Sequence, residues 1–279
     1  MISDFLQRSF KTVMCVVRDG PTAKRLKISS IAFLLTFLIV ASVHFKPRQL
    51  AGPGQDNRSK GPGQVENVFH DIYNSSIWGD YGNGSGEGST IEMTKRTRLA
   101  VELLVTRYKV NALLDAPCGA MAWMPIVIQR LRQFNPRLKY CGVDVVLSVI
   151  EKNKLKHQQL EFLRVDIAQE KLPTGFDMIW SRDALQHLSY ELIIGALENF
   201  GRSGVKYVAV GSYKAGTNRN IPTGGYFDID LTQFPFNLDG PIDVLDEETP
   251  DNKVILVYSN EYLRDVDYRS MRQRAGLQK

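Results

Sequence analysis

The sequence of 279 residues predicts an α/β domain in which a mostly parallel β-sheet is covered by helices on both faces. Short apolar runs alternate with longer helical stretches through residues 93–258. Apolar residues make up 43% of the chain and charged residues 23%, which is ordinary for a folded protein. The three cysteines cannot form a disulfide framework, and a segment of about 200 residues can bury a core without one.

The strands and helices of this domain follow from the spacing of the apolar residues. Strands are predicted at residues 112–116, 140–143, 161–165, 177–180, 207–210 and 254–258. Helices are predicted at residues 93–109, 123–134, 147–156 and 189–200. Parallel sheets of this kind bind ligands at the carboxyl ends of their strands, so we expect functional residues in the loops that follow the strands.

Residues 28–45 (ISSIAFLLTFLIVASVHF) contain no Lys, Arg, Asp or Glu. As a helix, this segment would be about 27 Å long, which suits a thin bilayer. A cleaved signal peptide is the alternative, but the apolar run begins late and no good cleavage site follows it. We therefore expect a transmembrane signal-anchor at residues 28–45, preceded by a cytosolic tail, residues 1–27.

The orientation of this segment rests mainly on the residues C-terminal to it. Basic residues flank both ends and give only a slight preference for a cytosolic N-terminus. Three N-x-[ST] sequons come after the segment, at Asn57, Asn74 and Asn83, and glycans are added only on the lumenal side. We expect a single-pass type II membrane protein whose C-terminal domain is lumenal. Residues 46–66 are predicted to form a stem, because this Gly/Pro-rich segment repeats GPGQ and has few apolar residues.

An aspartate stands at or just after the end of each of the first four predicted strands. Asp115 (LLDAPCGA), Asp144 (CGVDVV), Asp166 (LRVDI) and Asp183 (SRDALQHL) follow one another at intervals of 29, 22 and 17 residues. The carboxylate after the second strand is the one that binds ribose hydroxyls in nucleotide-binding βαβ units, and Gly119 would let a ligand approach the backbone. Helix caps or turn aspartates are the alternative. The G-x-G-x-x-G pattern of dinucleotide sites is absent.

These aspartates and their spacing resemble the class I S-adenosyl-L-methionine (SAM)-dependent methyltransferases. The resemblance implies a Rossmann-like, seven-stranded, mostly parallel sheet with SAM as cofactor. The stretches DIYNSSIWGDYGNGSGEGST, LLDAPCGAMAWM, SRDALQHL and GGYFDIDLTQFPF further resemble a branch found in bacteria and nematodes, including nematode Golgi glycan O-methyltransferases with an N-terminal anchor. The resemblance covers residues 67–263, which leaves residues 264–279 as a basic tail.

The resemblance also implies a role for each residue of the site. The methionine part of the cofactor, its ribose and its adenine would each contact one strand end, and the residues after the fourth strand would form the floor of the methyl-transfer site. Pro117 and Ala120 depart from the family pattern, and Ala120 removes one expected partner of the SAM amino group. The residues assigned to the cofactor are Asp115, Ala116, Gly119, Asp144, Asp166, Ile167 and Ser181.

Two residues are candidates for removing a proton from the acceptor. His187 follows the fourth strand and is of the residue type whose unperturbed pKa lies near neutrality, although a packing histidine is the alternative. Asp183 is expected either to be the base or to orient His187. Arg182 is expected to hold a carboxylate or the backbone. The glycine-rich residues 79–90 are expected either to be a disordered loop or to form a lid over SAM.

The whole pattern predicts a SAM-dependent O-methyltransferase of the Golgi membrane that acts on a sugar hydroxyl of a glycoprotein or glycolipid. A small-molecule or protein methyltransferase and a catalytically silent SAM-binding protein are the alternatives. We expect no metal, since no His/Cys/carboxylate cluster has metal-ligand spacing. We expect no nucleic acid, since the net charge is only +5 and no run of five basic residues occurs.

Overall fold

The computed structural model describes residues 63–277, apart from the side chain of Tyr81. The expected cytosolic tail, the expected anchor at residues 28–45 and most of the expected stem lie outside the described residues. Within residues 63–277, no helix is both long enough and apolar enough to cross a bilayer.

A single sheet of seven strands forms the centre of the described domain. The strands are β1 (Ala112–Asp115), β2 (Lys139–Asp144), β3 (Glu161–Arg164), β4 (Met178–Ser181), β5 (Tyr207–Tyr213), β6 (Asp243–Asp246) and β7 (Lys253–Ser259). They lie in the order β3-β2-β1-β4-β5-β7-β6, in which the first five are parallel and β7 is antiparallel to both of its neighbours. The predicted seven-stranded, mostly parallel sheet is thus confirmed.

Helices cover the sheet on both faces. They are α1 (Gln64–Asn74), α2 (Lys95–Arg107), α3 (Met124–Phe134), α4 (Leu147–Lys156), α5 (Tyr190–Arg202), α6 (Asn260–Asp265) and α7 (Tyr268–Arg274). Adjacent residues of β1 show the two layers, because successive side chains of a strand point to opposite faces. Leu113 lies in the core that contains Leu104 of α2 and Val127 of α3. Leu114 lies in the other core, which contains Ile193 of α5.

The six strands and four helices predicted from apolar spacing are all present, with ends that differ by a few residues. Strand β6 is the one that apolar spacing does not predict. Its four residues (DVLD) lie at the edge of the sheet, pair only with β7 and alternate between half-buried and exposed positions. An edge strand of this kind has no continuous apolar run to reveal it.

The C-terminal residues differ from the predicted basic tail, residues 264–279. Helix α7 packs on the domain through Tyr268 and Met271, which are 7% and 0% exposed. The Tyr268 hydroxyl donates to the backbone oxygens of Leu197 (3.0 Å) and Leu263 (2.8 Å). Tyr268 and Met271, about one turn apart, face the core while Arg269 and Arg274 are exposed, so the basic composition conceals an amphipathic helix.

The N-terminal end of the domain also differs from the prediction. The stem was expected to reach residue 66, but α1 already begins at Gln64. Val65 is buried and belongs to the same core as α5. The predicted stem therefore overlaps the first turn of a packed helix.

Changing Met271→Ala should lower the free energy of unfolding by about 2–5 kcal/mol, because a fully buried methionine is replaced by a cavity. The exposed Arg269→Ala is the matched control on the same helix and should stay within about 0.5 kcal/mol. Chemical denaturation of the two variants measures the difference. Equal stabilities would contradict the packing of α7 on the domain.

Candidate functional site

A large cavity lies at the carboxyl ends of β1, β2, β3 and β4. It has a volume of about 1020 Å³, part of which is open to solvent. Seven of the nine residues that the sequence assigns to the site line it: Asp115, Gly119, Asp144, Asp166, Ile167, Asp183 and His187. The topology explains this convergence, since parallel neighbouring strands end at the same edge of the sheet.

Ala116 and Ser181 are the two assigned residues that do not line the cavity. The Ala116 backbone N–H donates to the Trp180 oxygen (2.8 Å), and its side chain is fully buried. The Ser181 side chain is 1% exposed, and its hydroxyl has no hydrogen-bond partner among the described residues. Side chains alternate along a strand, so Ser181, between the lining residues Trp180 and Arg182, points away.

Asp115 ends β1 and is almost fully buried. Its Oδ2 accepts a hydrogen bond from the Tyr140 hydroxyl of β2 at 2.6 Å. Burial raises the pKa of Asp115 to about 7; the hydrogen bond from Tyr140 opposes this rise and the charge of Asp144 adds to it. The carboxyl group is therefore poised to ionise when a cation enters the cavity.

Asp144 ends β2 and fixes the backbone around it. Its Oδ2 accepts from the Gly119 N–H and its Oδ1 accepts from the Val146 N–H, both at 3.0 Å. Burial raises the pKa of Asp144 to about 6, although these backbone hydrogen bonds oppose the rise. Gly119 has a φ of 55°, and a Cβ there would lie 2.8 Å from the Ser85 hydroxyl, so the position admits only glycine without strain.

Asp166 and Ile167 follow β3. The Asp166 carboxylate accepts from the Ala168 N–H and from the Gln169 side chain, both at 2.9 Å, and burial raises its pKa. Asn199 of α5 donates to the Ile167 backbone oxygen at 2.9 Å. These contacts hold an acidic group and an apolar side chain side by side on one wall of the cavity.

The lining is strongly acidic. Four aspartates (Asp115, Asp144, Asp166 and Asp183) contribute to it, and Arg182 is the cationic side chain among the described lining residues apart from the titratable His187. The charge of Arg182 is already matched by Glu247, which binds two of its nitrogens at 2.7 Å. Such a lining suits a ligand with positive charge and disfavours a phosphate-bearing one. Within residues 63–277, no three His, Cys, Asp or Glu side chains are placed to hold a metal ion.

His187 is held at the cavity by backbone and by aromatic rings. Its Nδ1 lies 2.8 Å from the Gly225 backbone oxygen, and the Gly224 N–H donates to the His187 oxygen at 2.8 Å. A carbonyl oxygen only accepts, so Nδ1 carries the proton and Nε2 keeps the lone pair in the neutral ring. Trp78 packs against the imidazole with ring centroids 4.5 Å apart, and Tyr226 at 5.7 Å.

Asp183 lies in a network of ion pairs. Its carboxylate contacts Arg182 Nη1 (2.8 Å) and Lys253 Nζ (3.0 Å), and accepts from the Gln186 amide (3.0 Å). Burial acts to raise the pKa of Asp183, but the charges of Arg182 and Lys253 outweigh it and lower that pKa overall. A carboxylate stabilised in its charged form is a weak base, so the geometry favours His187 over Asp183 for proton removal.

Residues 75–90, hereafter the lid, are folded over the cavity rather than extended away from it. The Ser85 hydroxyl accepts from the Ala120 N–H and contacts the Tyr73 hydroxyl, both at 2.9 Å. The Gly88 oxygen accepts from Arg182 Nη1 at 3.0 Å. The lid is thus joined through Ser85 to the loop after β1 and through Gly88 to Arg182, which follows β4, while the side chain of Asn83 stays exposed.

The sequence did not single out Tyr140, Glu247 or Lys253 as site residues. Tyr140 could have been identified from the sequence, because a tyrosine hydroxyl in an apolar strand next to the strand of Asp115 needs a buried hydrogen-bond partner. Glu247 and Lys253 lie in and after the loop between β6 and β7, more than 60 residues from the partners they contact, and no local spacing indicates them.

No protein-family model matches the chain, and no curated protein sequence matches it. Among solved structures, the chain is similar to the N-methyltransferase NodS of Bradyrhizobium japonicum WM9 in complex with S-adenosyl-L-homocysteine (SAH), with 14% identity, a TM-score of 0.50 and coverage of 71% of this chain and 98% of that one. It is also similar to the 1,6-didemethyltoxoflavin-N1-methyltransferase of Burkholderia thailandensis with bound 1,6-didemethyltoxoflavin and SAH, with 12% identity, a TM-score of 0.51 and coverage of 77% and 97%. At such identities the similarity shows the fold, which is the one these SAM-dependent methyltransferases have.

Proposed function

We propose that this protein is a SAM-dependent methyltransferase and that the acidic cavity binds SAM. The observation that carries the proposal is the convergence of four strand-end aspartates on one cavity in the fold described above. SAM has a sulfonium and an ammonium group, so it suits a lining of carboxylates better than a diphosphate cofactor does.

The residues present fit this cofactor. Each oxygen of Asp144 accepts one backbone N–H and retains a lone pair, so the carboxylate can still accept from two ribose hydroxyls. Asp166 and Ile167 would hold the adenine by its amino group and its ring face. Asp115 and the backbone at Gly119 would hold the methionine part, where Ala120 supplies no carboxylate. When bound, SAM supplies an activated methyl group, and positioning by these residues supplies much of the rate.

Changing Asp144→Asn should weaken SAM binding by about 1.5–3 kcal/mol, because the ribose loses a charged acceptor. Asp177→Asn is a matched control, since Asp177 also accepts two backbone N–H bonds (2.9 and 3.0 Å) but precedes β4, at the opposite edge of the sheet. Calorimetry of both variants against the wild type measures the effect. Equal affinities for SAM in the two variants would contradict the assignment.

The same binding should depend on pH in a defined direction. Asp115 and Asp144 titrate with pKa values raised to about 7 and about 6, and protonation removes negative charge that faces the ligand. The affinity for SAM should therefore fall as the pH falls from above 7 to below 6. SAH lacks the sulfonium charge and should show a shallower dependence. An affinity for SAM that does not change across this range would be the contrary result.

We infer that the reaction is methyl transfer to a hydroxyl, with His187 as the base. The Gly225 oxygen accepts from Nδ1–H, so Nε2 carries the lone pair that would take the proton of the acceptor hydroxyl. Trp78 and Tyr226 fix the plane of the ring. The ion pairs of Asp183 hold the residues after β4 in place around this histidine.

His187→Gln should lower kcat by about 10²–10⁴ with little change in SAM affinity, because general-base catalysis contributes that much and the cofactor contacts remain. The acidic limb of the pH–rate profile of the wild type should disappear in this variant. Asp183→Asn should reduce the rate but keep that limb. If Asp183→Asn removes the limb while His187→Gln keeps it, the base is Asp183 and the proposal is wrong.

We further propose that the acceptor is a sugar hydroxyl of a glycan and that the protein is a type II Golgi membrane protein with a lumenal catalytic domain. The aromatic surface of Trp78 and Tyr226 beside His187 supports the acceptor, since sugar rings pack their C–H faces on aromatic rings. The charge-free segment at residues 28–45 and the exposure of Asn74 and Asn83, two of the three sequons, support the topology.

In eukaryotic cells, glycosidase treatment should increase the gel mobility of the wild-type protein, and Asn74→Gln or Asn83→Gln should remove part of that shift. Protease added to sealed microsomes should spare the domain. Digestion of the domain in sealed microsomes would contradict the topology. Mass spectrometry of glycans released from cells that express either the wild type or the His187→Gln variant tests the acceptor separately; equal methylation in the two would contradict the glycan as substrate.

A further inference from the structure

We infer that Glu247 is a positioning residue that holds Arg182 in the orientation that closes the lid over the cavity. Glu247 does not line the cavity and lies in the loop between β6 and β7. Its effect on ligand retention rests on the proposed function, whereas its effect on the lid does not.

The pair between Glu247 and Arg182 fixes the guanidinium plane. Glu247 Oε1 and Oε2 accept from Arg182 Nε and Nη2, each at 2.7 Å. The two side chains are 1% and 4% exposed, so solvent does not screen the contact. Two parallel hydrogen bonds from a planar group leave it no rotation, which is the geometric advantage of arginine over lysine.

The pair with Glu247 fixes the direction of the third guanidinium nitrogen of Arg182, Nη1. Nη1 donates to the Gly88 oxygen at 3.0 Å and lies 2.8 Å from Asp183 Oδ2. The lid contributes only backbone to this contact, so its closure depends on where the guanidinium is held rather than on the identity of a lid side chain. Without Glu247, Asp183 would remain as the carboxylate partner of Arg182 among the described residues.

Gly88 shows how closely the lid lies against this ion network. A Cβ at Gly88 would be 2.6 Å from Asp183 Oδ2 and 3.3 Å from Lys253 Nζ, so no larger residue fits with the lid closed. The second fastening is at Ser85, whose hydroxyl accepts from the Ala120 N–H. Without the Gly88 contact, the lid would still be held by the Ser85 contact and by the packing of Trp78 on His187.

Hydrogen exchange in the ligand-free protein tests the inference directly. Three amides report lid closure: Ser89 (to Gly86 O, 3.1 Å), Thr90 (to Glu87 O, 3.0 Å) and Ala120 (to Ser85 Oγ, 2.9 Å). In Glu247→Gln these amides should exchange about tenfold faster or more, since loss of a charged hydrogen bond favours local opening by at least that factor. Amides of β1 and β4 should keep their wild-type rates.

Glu198→Gln is the matched control. Like Glu247, Glu198 accepts two hydrogen bonds from guanidinium groups, in its case from Arg202 (2.5 Å) and Arg272 (2.7 Å), but it joins α5 to α7 away from the cavity. A general loss of stability would speed the lid amides in both variants. Wild-type rates at the lid in Glu247→Gln, or equal acceleration in Glu198→Gln, would overturn the inference.

Gly88→Ala tests the same contact from the lid and keeps the inference testable if Glu247→Gln does not fold. Its added methyl group should speed the exchange of the same three amides without altering any buried charge. Where both variants fold, the three amides should exchange no faster in the double variant than in the faster single variant, because both substitutions remove the same contact. Wild-type exchange in Gly88→Ala would overturn the inference.

The consequence for ligand retention has its own measurement. SAH should dissociate at least several-fold faster from Glu247→Gln and Gly88→Ala than from Glu198→Gln, in a stopped-flow displacement assay. If the lid amides loosen and SAH dissociates at the wild-type rate, the lid does not retain the ligand and that part of the inference is wrong. If the wild type binds no SAH at all, the proposed function is wrong, and the exchange result on the lid still stands.

Discussion

The burial of ionisable carboxyl groups at the ends of β1 and β2 is the constraint around which the site is built. Burial raises the pKa of Asp115 from 3.8 to about 7, so holding its charge at this position costs of the order of 4 kcal/mol. The protein offsets part of this cost with the Tyr140 hydroxyl and, at Asp144, with backbone N–H donors. A ligand cation would relieve the rest. Groups with pKa values perturbed in this way cluster at functional sites.

In the part of the site that would bind the acceptor, the pKa of the carboxyl group is lowered rather than raised. Asp183 is stabilised as an anion by Arg182 and Lys253, whereas His187 has a backbone carbonyl at Nδ1 and aromatic neighbours. On the proposed function, the two neighbouring titratable groups would have different tasks, Asp183 as a structural anion and His187 as the base. The left-handed backbone of Asp183 (φ 51°) turns the chain sharply between them, and the network around Asp183 holds that conformation.

The strand ends were predictable because two physical rules act together. Apolar runs mark buried parallel strands, and parallel strands bring their carboxyl ends to one edge, so Asp115, Asp144 and Asp166 could be placed without coordinates. The same reasoning was wrong about Ser181, which does not line the cavity, because an end position in a strand does not reveal which face a side chain takes. Reasoning from strand ends also cannot identify long-range partners such as Glu247. Their contacts depend on loop conformation, which local spacing does not encode.

Composition is a poor guide at the two ends of the domain, where a few apolar residues are set among polar ones. The N-terminal case matters more for the site, because α1 forms one wall of the cavity. Glu66 accepts from the Leu147 N–H and from Arg164 Nε, both at 3.2 Å, and these residues belong to α4 and to the end of β3.

The far end of α1 reaches the lid, where the Tyr73 hydroxyl contacts the Ser85 hydroxyl. Helix α1 therefore connects the elements that surround the ligand with the segment that covers it. The residues where the stem was expected to end are part of this wall, since Val65 lines the cavity and Glu66 contacts the start of α4 and the end of β3. A domain that began at residue 67 would lose the Glu66 contacts, and its lid would rest on a helix no longer fastened at its first turn.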